Sequence, residues 1–129
     1  MRKAGKVFLL ALALLLVSLS VGGCMEPYTP SPDLVYIEII RPTDVGNPHQ
    51  AEVTVGGPAS LVIDWGSVDQ DGSILSADAG VREMILTKPD VLVSYSEVYD
   101  LGVLQPGEYT FEFYAEGEFM ASTDFSVEE

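Results

Sequence analysis

The chain is poor in the residues on which most active-site chemistry depends. Its 129 residues include one cysteine, one histidine and one tryptophan, and six basic residues stand against twenty acidic ones. A lone cysteine cannot close an internal disulfide, so any core must be held by packing. The one histidine, His49 in the loop Gly46-Asn47-Pro48-His49-Gln50, has no partner visible in the sequence for an imidazole triad or a metal cluster. No serine or threonine lies in a nucleophile-elbow pattern, and Gly56-Gly57-Pro58 reads as a turn, not a phosphate loop. Carboxylate pairs occur throughout because acidic residues are so numerous, which removes their value as signs of glycosidase chemistry. The composition argues against an enzyme.

The basic residues are also unevenly placed. Arg2, Lys3 and Lys6 precede an apolar run, 7–17, that carries no polar side chain, and Val21-Gly22-Gly23 then leads into Cys24. A membrane-spanning helix needs about 20 apolar residues. Here the run is shorter, interrupted by Ser18 and Ser20 and closed by two glycines. The arrangement resembles the prokaryotic lipoprotein signal, in which a cysteine after small residues takes a diacylglyceryl thioether and becomes the mature N-terminus. That resemblance implies a cleaved helical signal peptide over 1–23, a lipid on Cys24, and a mature chain held to the cell membrane or outer membrane outside the cytoplasm. It further implies two or three acyl chains on Cys24, including palmitate, since one chain anchors only marginally. With no twin-arginine pair ahead of the run, the general secretory route is expected.

Beyond Cys24 the only cations are Arg41, Arg82 and Lys88, while all twenty carboxylates remain. Nucleic acid and anionic surfaces repel such a body. The expected membrane contact is therefore the lipid alone, with an envelope protein or polysaccharide as the further partner. Residues 24–33 contain Pro27, Pro30 and Pro32. They read as a semi-extended tether, which at about 3.1 Å per residue holds the domain up to roughly 28 Å from the lipid.

The domain expected over 34–129 is all-β. Residues 34–41 place Val35, Ile37 and Ile39 on one face, 51–55 form a second strand ended by the glycine pair, and 60–65 alternate Leu61, Ile63 and Trp65 with Val62 and Asp64. Trp65 is expected in the core. Residues 83–87 and 91–95 read as short strands around a Lys88-Pro89-Asp90 turn, with a further strand at 98–104. At the end, Tyr109, Phe111, Phe113 and Ala115 share one face, and after Gly117 the alternation resumes with Phe119, Ala121, Thr123, Phe125 and Val127. This predicts a hairpin with one face buried and an acidic or hydroxylated face in water.

Short strands, regularly spaced turns and no helical period suggest a sandwich. The stretch Leu104-Gln105-Pro106-Gly107-Glu108-Tyr109 resembles the corner of immunoglobulin-like domains, where a tyrosine hydroxyl bonds back to the backbone. The resemblance implies an immunoglobulin-like antiparallel β-sandwich of about seven strands, with Tyr109 in that role.

Two readings compete for the segment from Ser67 to Ile74, which carries Asp69-Gln70-Asp71-Gly72. Alternating acidic residues before a glycine resemble part of a calcium loop, with Ser67, Asp69, Asp71 and Asp78 at ligand positions, although a serine stands first and an aspartate last. The same residues resemble the Asp-Gly-Ser-Ile turn of polycystic-kidney-disease repeats, in which glycine simply reverses the chain. Two functional classes follow. One is a surface-anchored binding or accessory module working through its end loops. The other is a proteinase inhibitor, since small prokaryotic immunoglobulin-like proteins include inhibitors that insert an end loop into a protease cleft. The loops 46–50 and 100–107 are the candidates for such an inserting loop, but neither reproduces an inhibitor motif, so the binding module leads. A structural spacer, calcium-stiffened or without a dedicated ligand, stands beside both classes as a third reading.

Overall fold

A computed structural model describes residues 25–84 and 91–129. Cys24, the expected signal peptide and the expected turn at Lys88-Pro89-Asp90 lie outside them. Nine strands are formed among the described residues: β1 (Met25–Pro27), β2 (Val35–Ile40), β3 (His49–Pro58), β4 (Leu61–Asp64), β5 (Val68–Asp71), β6 (Ile74–Met84), β7 (Leu92–Gly102), β8 (Gly107–Ala115) and β9 (Glu118–Val127). A single 3-10 turn, Pro32–Leu34, leads into β2. The protein is an all-β sandwich of two sheets.

One sheet has the order β2-β3-β7, antiparallel throughout. The other is built around β6. Arg82 sits opposite both Pro27 and Val62, and Ala77 opposite both Val68 and Phe113. So β4 and β5 follow one another along one side of β6, β8 and β1 along the other, and β9 pairs outside β8. Between the facing sheets lie Ala51, Val53 and Val55 from β3, Leu75, Ala77, Ala79 and Val81 from β6, and Phe111, Phe113 and Ala115 from β8, all essentially without solvent contact. The alternation read in the sequence thus becomes the core, each strand giving its odd-numbered positions to the interior.

Several expectations are corrected. The pairing of β6 with β8 is parallel, not antiparallel. After β6 the chain crosses to the other sheet to form β7 and crosses back, so β8 returns in the direction of β6. The expected strands at 91–95 and 98–104 are one continuous strand, β7, paired with β3 along its length. Likewise β3 runs through the glycine pair instead of ending there. A side chain at Gly57 would meet the Leu61 side chain at 2.6 Å, so this glycine permits close packing and does not turn the chain.

The described part of the expected tether also belongs to the domain. Met25 pairs with Met84 and Pro27 with Arg82, and the Tyr28 amide donates to the Val81 carbonyl at 2.9 Å. Tyr28 packs on the core and Pro30 is fully buried. Proline is tolerated at the end of a strand, where the donor it lacks is not needed.

Two turns follow from local chemistry. Asp71 pairs with Ile74, and Gly72 takes positive φ at the first position of the two-residue turn between them. Glu116 (φ 50) and Gly117 (φ 75) join β8 to β9, the pair of positive angles that a tight hairpin of twisted strands requires.

Candidate binding cleft

The loops that end β2, β7 and β9 converge at one end of the sandwich. They enclose a cleft of about 560 Å³ lined by residues of 41–47, His49, residues 103–106 and the C-terminal Val127, Glu128 and Glu129. The two loops picked out by the sequence, 46–50 and 100–107, therefore form opposite walls of one concavity. Sequence reasoning missed Arg41 and the C-terminal wall. Their place depends on β2 lying beside β9, a contact across the two sheets between elements distant in the chain.

Each wall is fixed from below. The Arg41 guanidinium donates to the Ser126 carbonyl at 3.0 Å and so ties the first loop to β9. The Tyr109 hydroxyl donates to the Gln105 carbonyl, four residues upstream, at 2.7 Å, and the Tyr109 ring stacks on Phe125 at 5.7 Å between centroids. Phe125 also packs against His49, 6.0 Å away. An aromatic cluster thus lies behind the cleft wall at His49, whereas Val45 (87% exposed) and Val103 (58% exposed) stand open at the rim.

His49 is the chemically unsettled group. It is buried, and its Nδ1 has no hydrogen-bond partner among the described residues. Burial, followed by the charge of Arg41, holds its pKa below the ordinary value of 6.5, so the ring is neutral at pH 7. An unpaired polar atom in a buried wall costs free energy until something bonds it. The cleft therefore offers one guanidinium, the carboxylates of its acidic lining residues and apolar rim side chains, with the neutral His49 ring buried in its wall. It contains no nucleophile paired with a base.

The other sequence candidates are dispersed. Trp65 lies half-buried against Tyr99 and Phe113, each 6.3 Å away, and its carbonyl accepts the Tyr99 hydroxyl at 2.7 Å. Burial, reinforced by Glu97, Asp64 and Asp78, pushes the Tyr99 phenol well above its usual pKa. Asp69 and Asp78 line a more open depression on the outer face with Ser67, Ser76 and Tyr114, and Asp71 lies outside it at the β5–β6 turn. Asp78 is already engaged, accepting the Gly117 amide at 3.0 Å. Among the described residues no three His, Cys, Asp or Glu side chains gather as metal ligands would. No helix there is long and apolar enough to cross a membrane.

Among known proteins, no family model, no curated protein and no solved structure matches this chain.

Proposed function

We propose that this protein is a lipid-anchored binding module of the cell envelope, without catalytic activity, that captures a partner in the cleft between the 41–48 and 103–106 loops. The observation that carries the reading is the position of that cleft, at the end of the sandwich opposite to β1, where the chain arrives from Cys24. A domain tethered at one end and open at the other presents its loops to the envelope and not to its own membrane. Arg41 and the acidic lining residues supply polar contacts for a ligand, and Val45 and Val103 supply apolar area. The strongly acidic surface excludes nucleic acid as that ligand and suits a neutral or cationic segment of an envelope protein or polysaccharide. A concave site receives a partner, which favours this reading over an inhibitor that inserts a projecting loop.

In-cell photo-crosslinking tests it. A benzophenone amino acid placed at Val45 or Val103 is expected to trap a discrete adduct, and one placed at Phe119, which is exposed away from the cleft, is not. Equal labelling at all three positions, or none at the two cleft positions, contradicts the proposal.

A further inference from the structure

The strand β1 begins at Met25, one residue after the expected lipid-bearing cysteine, and adjacent Cα atoms across a peptide are about 3.8 Å apart. No slack remains between lipid and sandwich. The end of the molecule that holds Met25 must lie against the headgroups if Cys24 is acylated.

Apolar side chains are left uncovered at that end, as they are at the cleft. Met84, paired with Met25, is 41% exposed, Val91 60% and Leu92 70%. They belong to one rim: the Met84 amide donates to the Ser60 carbonyl at 3.1 Å, the Ala59 amide donates to the Val91 carbonyl at 3.3 Å, and Leu92 pairs with Pro58. The 58–60 turn thus bridges the exposed residues of both sheets. Tyr95 clamps this turn, its hydroxyl donating to the Pro58 carbonyl at 2.6 Å and accepting the Leu61 amide at 3.2 Å.

We infer that this rim rests on the bilayer: Met84, Val91 and Leu92 insert among lipid headgroups beside the acylated Cys24, and the sandwich stands upright with its cleft facing away. The inference rests on the lipid anchor of the proposed function. Ten residues of β3 separate the two ends, so at about 3.3 Å per residue the cleft stands roughly 30 Å above the surface. Among the described residues the charged groups near the rim are Glu26, Asp33, Glu83 and Arg82, an acidic excess that favours a zwitterionic surface over an anionic one. Lipid headgroups are the occupant because the chain itself delivers the rim to them. Apolar residues at a membrane-facing edge gain contact with the acyl boundary as interfacial helices do.

The test uses the full chain, processed in cells, purified in detergent and reconstituted in phosphatidylcholine vesicles. Nitroxide labels are attached after Met84→Cys, Leu92→Cys, Val45→Cys or Val103→Cys, and accessibility to oxygen and to a water-soluble nickel chelate is compared. Labels at 84 and 92 are expected to be several-fold richer in oxygen contact relative to nickel than labels at 45 and 103. Inserting ten Gly/Ser residues between Cys24 and Met25 should erase the contrast by restoring slack. Equal accessibility at both ends, in a chain whose mass shows the lipid, overturns the upright orientation while leaving the anchor intact. A chain that carries no lipid overturns both.

Discussion

Single tyrosine hydroxyls tie the turns and sheets of this sandwich together, and one imidazole is buried in it without a partner at Nδ1. Tyr95, Tyr99 and Tyr109 each carry a hydroxyl to a backbone carbonyl across a turn or between sheets. Removing one such bond typically costs about 1 kcal/mol. Tyr109→Phe is therefore expected to lower unfolding stability by about that amount in denaturant titration, with the wall at Gln105 loosened and the fold intact. No loss would mean that the ring, and not the hydroxyl, holds the corner. His49 makes stability depend on pH. Its folded pKa lies below the unfolded value of 6.5, so as pH falls through that value the unfolded chain binds a proton that the folded chain refuses. Stability is full above about pH 6.5, declines as pH falls toward the folded pKa, and levels off below it. Denaturant midpoints measured between about pH 5 and 8 should show this decline, and His49→Gln should remove it. An unchanged slope in the variant would assign the titration elsewhere. The role of Tyr109 was legible because the residues around it form a local pattern. The state of His49 was not, since a loop histidine in sequence became a buried wall only when Phe125 and Arg41 reached it from distant strands.

At the scale of elements, alternation revealed the strands and their inward faces but not where strands end or shift. The register of β8 with β9 shifts between Phe113 and Tyr114, which pair with Ala121 and Phe119 and leave Met120 of β9 as an extra residue. The shift places Met120 in the core and turns Phe119 outward against Tyr114, 5.7 Å away, so Phe119 leaves the face on which its spacing put it. A bulge changes the parity of everything on one side of it, and no local residue preference announces it. Prolines misled in the same way at β1, where they suggested a free spacer and the chain instead pairs with β6. Amide hydrogen exchange separates the two: the Tyr28 amide, bonded to Val81, is expected to be protected well beyond the rate of a flexible peptide, and free-peptide exchange there would restore the tether. The Asp-Gly segment behaves as a turn between β5 and β6, with Asp71 apart from Asp69 and Asp78. Millimolar calcium is accordingly expected to leave the thermal midpoint where chelator leaves it. A rise abolished by Asp69→Ala would show the carboxylates gathering after all, because occupancy of a site at 100 times its dissociation constant adds about 2.7 kcal/mol.

The molecule as a whole has two unlike ends. One end joins the chain emerging from Cys24 to a rim with exposed Met84, Val91 and Leu92, and the other gathers the 41–48 and 103–106 loops around a cleft. The class of fold was readable because half-buried strands have a two-residue period. The parallel β6–β8 ladder was not, because a crossover through the opposite sheet leaves no mark in either strand. Nor could spacing along the chain bring Arg41 and Ser126 together. The proposed division of labour, anchor below and cleft above, depends on acylation at Cys24. The intact mass of the mature protein from membranes of the producing cell tests this most directly. A chain that begins at Cys24 and carries the added mass of a diacylglyceryl group and its acyl chains is the expected result. A chain that retains Met1, or one with an unmodified Cys24, would contradict the account.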